Sequence, residues 1–279
     1  MKSLKRAIRS LRPLLRFDNR VQLLCERIFF RRNPLSVCRR NGVVAVVDHR
    51  TADAGSIYLC LTTDAYTRFL SRMQLDRPLT VADLGANVGG FSLLLRAAGY
   101  KVERLLCVEM NPNTWTRLSF NIQINYRDIA PAVVNAAVCA EARSIDIELG
   151  AGSTTDSIHT GAGGVGKWRR RYTVQGMSLD QLLDDHFADA GIDICKIDIE
   201  GAEAEVLLDP ASRHTALRRC RYVLIELHPV DRYDALCEAF DRLGFDRLAD
   251  DGQDRCGVHL FANRQLTQST DHQADDTAT

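Results

Sequence analysis

The sequence predicts an α/β protein, with a mainly parallel sheet covered by helices on both faces. Two observations predict it. From Leu79 to Ala262 short apolar runs alternate with segments of helical periodicity, the order that builds parallel strands joined by crossover helices. A glycine-rich turn, Asp83-Leu-Gly-Ala-Asn-Val-Gly-Gly90, joins the first of those runs to the first of those helices. In sheets of this type ligands bind outside the carboxyl ends of the strands, which is where this turn falls.

The elements read in order as follows. Leu4, Ile8, Leu11 and Leu15 recur every three or four residues and predict a basic amphipathic helix over 4–15, bent or shortened by Pro13. A second helix is expected over 21–30, strands at Val43–Val47 and Ser56–Leu61, and a helix over 64–75. Strand Leu79–Leu84 then enters the glycine turn and helix Gly90–Ala98 follows, stopped by Gly99. After strand Arg104–Glu109, Asn111 caps a helix with Pro112 in its first position, which suits both residues. Pro131–Val138 and Ser144–Leu149 read as strands, Ala151–Gly166 as a long Gly/Ser/Thr-rich loop followed by the basic run Lys167–Arg171, and Tyr172–Gln175 as a strand. Ser178 caps a helix over 179–188. Strand Ile192–Asp198, helix Ala202–Leu208, strand Tyr222–Leu227 and helix Asp231–Leu243 restore the alternation, and Phe245–Ala249 with Gly257–Ala262 form an antiparallel pair. The domain plan is a basic N-terminal extension over 1–78, a ligand-binding domain over 79–264 and a disordered polar tail over 265–279.

Composition narrows the function. At 279 residues, 46% hydrophobic and 26% charged, the chain is an ordinary globular protein, and it holds no apolar run long enough to span a bilayer. Its zero net charge conceals an asymmetry: residues 1–40 carry twelve Lys or Arg against Asp18 and Glu26, net +10, which leaves the remainder at −10. Such a basic arm is a solvated helix on the domain or meets an anionic surface, and peripheral contact of the N-terminal helix with an anionic membrane is one expectation. The acidic remainder, with no aromatic stacking pattern beside the arginines, argues against a nucleic-acid substrate. Nine cysteines without C-x-x-C spacing read as small buried hydrophobes in a reducing compartment, and arginines interrupt any signal-peptide core, so the expected location is cytoplasmic or membrane-peripheral.

Four segments carry chemistry. In the glycine turn, a dinucleotide site would have a glycine where Asn87 stands, and Asp83 ahead of the turn would repel a pyrophosphate while attracting a cationic ligand. Glu109 ends the next strand 24 residues after Gly85, where an acid accepts hydrogen bonds from ribose hydroxyls. In Cys195-Lys-Ile-Asp-Ile-Glu-Gly-Ala-Glu203, the charges Lys196, Asp198 and Glu200 alternate and so project to one side. Glu226-Leu-His-Pro229 places His228, the candidate general base, at the end of the following strand. A ligand with ammonium and sulfonium groups, S-adenosylmethionine, suits this set.

Together these segments resemble the FkbM-type methyltransferases, over about Leu79 to Ala262. The resemblance implies a class I methyltransferase (Rossmann-like) fold: a seven-stranded, mainly parallel sheet with an antiparallel last strand and helices on both faces. It implies S-adenosyl-L-methionine as cofactor and methyl transfer to a hydroxyl oxygen of a small-molecule, saccharide or lipid-linked acceptor. By the same resemblance Asp83, Gly85, Asn87 and Gly89 surround the methionine part of the cofactor, with Ala86, Phe91 and Met110 in the same binding set. Glu109 holds the ribose, Asn135 and Ala137 the adenine edge, and Asp198 lies near the amino group or the reacting hydroxyl. Asp198, His228 and Glu200 are the catalytic candidates, with His228 or Asp198 as base. No resident metal is expected; if one acted, Asp198, Glu200 and Glu226 would be its oxygen ligands. A nitrogen or protein acceptor, or a non-catalytic cofactor-binding module, are the competing readings. Trp168 beside arginines is read as an acceptor contact for an anionic saccharide.

Overall fold

A computed structural model describes residues 13–30, 33–150, 157–159, 169–228, 230–252 and 257–268. The expected helix over 4–15 up to residue 12, most of the 151–166 loop, Trp168 and the tail beyond Gln268 lie outside the described residues.

The N-terminal part contains helix α1 (Arg20–Phe29), a hairpin of β1 (Leu35–Arg40) and β2 (Val43–Asp48), and helices α2 (Asp53–Thr62) and α3 (Thr67–Leu70). The alternating part then runs β3 (Leu79–Leu84), α4 (Gly90–Ala97), β4 (Val102–Val108), α5 (Pro112–Asn125) and β5 (Ala132–Val134). Three strands, β6 (Ala137–Cys139), β7 (Arg143–Leu149) and β8 (Arg170–Ser178), form a separate small sheet. Helix α6 (Leu179–Phe187), β9 (Ile192–Ile197), α7 (Glu203–Leu208), β10 (Cys220–Leu227), α8 (Tyr233–Arg242), β11 (Phe245–Asp250), β12 (Gly257–Asn263) and α9 (Arg264–Gln268) complete the chain.

The main sheet has seven strands in the order β11-β12-β10-β9-β3-β4-β5. Its first five strands in the chain pair in parallel, and β12 runs antiparallel to both β10 and β11. Every residue of β3 and β9 is buried, as strands covered on both faces require. The order reverses between β3 and β9, so their carboxyl ends open a crevice there. Two apolar clusters line the two faces of the sheet. One includes Phe17, Ile57, Phe69 and Phe91 from the N-terminal side, and the other Phe187, Leu236 and Phe240.

The capping predictions hold: Asn113 N–H donates to Asn111 Oδ1 (3.0 Å) and Gln181 N–H to Ser178 Oγ (3.1 Å). Four expectations need correction. Ser56–Leu61 is a helical turn of α2 and no strand; an apolar run of this length has no periodicity that separates the two, and here it packs against α4. The helix over 64–75 shrinks to Thr67–Leu70, and Leu35–Arg40, unassigned from sequence, is a strand. The single strand Pro131–Val138 breaks at 135–136: β5 stays in the main sheet and β6 leaves to pair with β8. The polar tail begins as a helix, since Arg264–Gln268 continues from β12, and Arg264 pairs with Asp241 and Asp246 (both 2.9 Å).

The hairpin is fastened to the domain by two side-chain amides of α5. Asn121 Oδ1 accepts from Val46 N (2.8 Å) while its Nδ2 donates to Val46 O (3.1 Å), and Asn125 does the same with Val44 (2.8 and 2.7 Å). Four helical residues rise about 6 Å and two strand residues about 6.6 Å, so the two spacings match. Arg117 of α5 also pairs with the buried Asp53 at the start of α2 (2.5 Å). These ties set α2 over the carboxyl end of the sheet. Eight cysteines fall among the described residues, all as free thiols, six of them buried.

Candidate active site

The crevice at the reversal point opens into a cavity of about 720 Å³. Its walls combine the glycine turn (Gly85, Ala86, Asn87), the end of β4 (Glu109, Met110), the 136–138 segment, the end of β9 (Lys196, Asp198, Glu200), the end of β10 (Glu226, His228), and α2 with Tyr66.

The turn after β3 is held by its own backbone. Gly85 and Ala86 N–H both donate to Val108 O (3.0 and 2.8 Å), and Asp198 N–H donates to Leu84 O (3.0 Å). Gly85 has φ +74°, and a Cβ placed on it would lie 1.7 Å from the Asp198 carbonyl oxygen, so only glycine fits between the two strand ends. Glu109 is clamped by two amides: Oε2 accepts from Asn87 N (3.1 Å) and Oε1 from Asn111 N (2.8 Å). Glu109 also lines the cavity.

Beneath the turn, Asp83 is fully buried and does not line the cavity. Its Oδ2 accepts from Ser92 Oγ (2.7 Å), and its Oδ1 lies 3.6 Å from Lys196 Nζ. Lys196 also donates to Gly85 O (3.2 Å) and Asp198 Oδ2 (3.1 Å). Burial alone would pull its ammonium down, but the Asp198 and Asp83 charges override that and hold it well above the usual lysine range. The second oxygen of Asp198 is buried without a hydrogen-bond partner.

The turn after β9 positions the acids. Glu200 takes φ +53° and Gly201 +98°, a left-handed pair that swings the chain from β9 into α7. A left-handed glutamate costs about 1 kcal/mol, and strain of this kind collects at functional sites. Glu203, fully buried, accepts through Oε1 from Ile199 N and Gly201 N (both 3.3 Å) and from His228 Nδ1 (2.9 Å). The His228 ring is thereby oriented, and its Nε2 faces Glu200 Oε2 (3.2 Å) and Glu226 Oε1 (3.8 Å). Burial would lower the His228 pKa, but the Glu203 hydrogen bond and the surrounding carboxylates raise it to about 9. Glu200 is pushed up to about 8, first by burial and then by the Asp198 charge.

Of the residues singled out in sequence, Gly85, Ala86, Asn87, Phe91, Glu109, Met110, Ala137, Asp198, Glu200 and His228 all line this cavity. Asp83, Gly89 and Asn135 do not. Gly89 is the left-handed N-cap of α4, and Asn135 donates to the carbonyls of Glu109 and Met110 (2.8 and 3.0 Å), which fixes the chain break between β5 and β6. Sequence reasoning missed Ser56, Leu59 and Cys60, because Ser56–Leu61 reads as a strand outside the site, and Tyr66, which falls in the helix expected over 64–75. It also missed Glu203, whose place three residues past Glu200 carried the signal.

The model of the methyltransferase FkbM domain matches residues 83–247, more than half of the chain and the span holding the strand ends that line the cavity; α2 and Tyr66, which complete its wall, precede that span. The chain belongs to the FkbM methyltransferase family. The sheet order with its reversed β12 is the class I methyltransferase fold expected of the family. No curated protein matches the chain. Solved structures that resemble it do so distantly. The methyltransferase FkbM from Methylobacillus flagellatus KT is 17% identical with a TM-score of 0.46, over 71% of this chain and 47% of that one. Methanocaldococcus jannaschii Trm5, solved in complex with adenosine, is 13% identical with a TM-score of 0.41, over 82% and 55%. A precorrin-6y C5,15-methyltransferase from Geobacter metallireducens GS-15 is 14% identical with a TM-score of 0.40, over 70% and 84%. This FkbM chain therefore spans about half the length of the first two.

Proposed function

We propose that this FkbM-family chain transfers a methyl group from S-adenosyl-L-methionine to a hydroxyl oxygen of a small-molecule, saccharide or lipid-linked acceptor, with His228 receiving the hydroxyl proton. The observation that supports it is the Glu203–His228 pair: a buried carboxylate fixes one ring nitrogen at 2.9 Å and turns the other into the cavity.

S-adenosyl-L-methionine is the cofactor that family membership implies, and the residues fit it. Carboxylates outnumber bases around the β9 and β10 ends, with one Asp198 oxygen buried and unpartnered, as a cationic ligand requires. Glu109 suits a ribose diol. Met110, Ala137 and Ile158 form a small apolar cluster that suits a purine. When bound, the cofactor supplies an activated methyl group on a sulfonium centre, so the protein's task is to orient the acceptor and take its proton. In this role Asp198 and Glu200 position the acceptor hydroxyl, and His228 Nε2 removes its proton. A cationic ligand near these carboxylates would offset the charges that hold the His228 proton, so more of the ring would stand neutral and able to accept a proton at neutral pH.

The test is turnover against a panel of hydroxyl acceptors with labelled cofactor. His228→Ala is expected to lower kcat about 100-fold or more while cofactor affinity, read by calorimetry, stays within a small factor. Unchanged turnover in such a variant removes His228 from the reaction.

A second reading has one observation in its favour. Asp198, Glu226 and His228 offer ligand atoms within 4.8 Å of one another, a carboxylate–carboxylate–imidazole set that could hold a divalent cation. It differs from the three acids named in sequence by placing His228 where Glu200 was expected. In that reading His228 is a ligand and the metal lowers the hydroxyl pKa. Loss of turnover with a chelator and its recovery with Mg²⁺ would select it; chelator-insensitive turnover selects the first.

A further inference from the structure

The basic N-terminal region carries an apolar face that points outward. Helix α1 is anchored by Leu23, which is buried, and by Leu24, packed on the core. On its other side Val21, Cys25, Ile28 and Phe29 follow one another at helical spacing and so share one face. They are exposed: Val21 to 70%, Phe29 to 73% and the adjoining Phe30 to 64%. Leu15 and Leu35 add further exposed apolar surface in the same stretch of chain. Contiguous apolar surface of this kind marks a contact site. Arg20 and Arg27 of the same helix are exposed too, toward the side that Leu23 and Leu24 occupy, and belong to the segment that holds +10 over residues 1–40.

We infer that this face docks on an anionic lipid bilayer, with Phe29 and Phe30 entering the boundary between headgroups and acyl chains and the arginines meeting lipid charges. Charge selects this occupant. An anionic surface attracts residues 1–40 and repels the −10 remainder, so it both binds and orients the molecule. A second copy of the chain docked through this helix would bring two segments of net +10 together, which disfavours self-association here.

The docked face connects to the cavity through α2. Phe17 packs on Tyr58 (ring centroids 5.3 Å apart), the Arg16 guanidinium donates to the Thr62 carbonyl, and the same helix lines the cavity with Ser56, Leu59 and Cys60. Leu59, on the cavity wall, is itself 48% exposed. An acceptor carried in the membrane would therefore meet the cavity along α2. That step rests on the methyl-transfer reading; the docking does not.

The experiment is sedimentation of the full chain with phosphatidylcholine vesicles, with and without phosphatidylserine, at low and high salt. Binding is expected only with phosphatidylserine and is expected to fall at high salt. Arg20→Gln with Arg27→Gln should lower the partition coefficient about thirtyfold at low salt, roughly fivefold per arginine. Phe29→Ser with Phe30→Ser should lower it at least about tenfold, with cofactor affinity unchanged as the control for folding. Vesicle binding that ignores both double substitutions overturns the inference. So does a chain that stays off every vesicle, or one that forms a dimer dissolved by Phe29→Ser with Phe30→Ser. Loss of methyl transfer with vesicle binding intact would instead count against the reading of the cavity.

Discussion

Replacing Glu203 by Gln tests the centre of the site without changing its shape. Glu203 Oε1 accepts from His228 Nδ1 at 2.9 Å and from two backbone amides, and a glutamine oxygen can keep all three while removing the charge. Burial opposes the His228 proton, so the raised pKa is the net result of that cost and the carboxylates that override it, Glu203 first among them. The rise from 6.5 to about 9 corresponds to about 3 kcal/mol of differential interaction, or about 2 kcal/mol once screening at this partly open ring is allowed for. The sign follows directly. A histidine with a raised folded pKa contributes stability that is fully present below 6.5 and is lost as pH climbs through about 9. Glu203→Gln should therefore lower Tm at pH 6 and lower it much less at pH 10. If His228 is the base, kcat/KM of the parent protein rises with pH towards 9, about tenfold per unit on the limb, since only the neutral ring accepts a proton. In Glu203→Gln that limb should move at least one unit towards acid, because only the weaker holds of Glu200, Asp198 and Glu226 remain on the proton. The assay is a pH–rate profile beside an NMR titration of the His228 ring. A ring that titrates at the same pH in both proteins would show that Glu203 does not set the His228 proton, and the base assignment would lose its physical ground.

Other outcomes follow from the same geometry. Gly85→Ala must displace the Asp198 carbonyl, 1.7 Å from the new Cβ, and should cost roughly 2–5 kcal/mol together with cofactor binding, read by denaturation and calorimetry. Lys196→Met strips the buried Asp83 of its cation and should destabilise by about 3–5 kcal/mol, while adding Asp83→Asn should recover part of the loss; a single variant as stable as the parent would refute the pairing. Because burial and the Asp198 charge raise Glu200 to about 8, a cationic cofactor bound beside it would favour the ionised carboxylate and promote release of that proton. Affinity should rise with pH between about 6 and 8, and calorimetry in buffers of different ionisation enthalpy should register proton release; pH-independent binding would exclude Glu200 from the cofactor's surroundings.

Strand ends were readable from sequence because short apolar runs and glycine turns are local signals. Asp83, Glu109, Asp198 and His228 each follow an apolar run, and each stands at or just beyond a strand end. Asn111 and Ser178 were readable as caps for the same reason. What escaped was decided by partners distant in sequence. Whether Ser56–Leu61 is strand or helix depends on the α4 surface it covers, and whether Asn135 contacts a ligand depends on the two carbonyls 25 and 26 residues upstream that take its amide. Glu203 was quoted within its motif, but its role required His228, 25 residues further on, to fold back onto it.

The same distinction explains why this turn selects a cation although it sits at a helix N-terminus, a place that usually favours anions. Phosphate binding there needs free backbone amides. Here Gly85 and Ala86 N–H donate to Val108 O, Asn87 N–H to Glu109, Val88 N–H to the Asn87 side chain at 2.8 Å, and Gly89 N–H to Ala86 O at 2.8 Å. Every amide from 85 to 89 already has an acceptor within the protein. Lys196, the cation nearest the turn, is likewise held by Gly85 O, Asp198 and Asp83, so it offers a phosphate nothing without breaking those contacts. A pyrophosphate would meet a closed backbone and a set of carboxylates. Asn87 marks the difference in the sequence: it stands where a dinucleotide-binding turn has glycine, at a left-handed φ of +49°, and its amide is already taken by the Glu109 carboxylate.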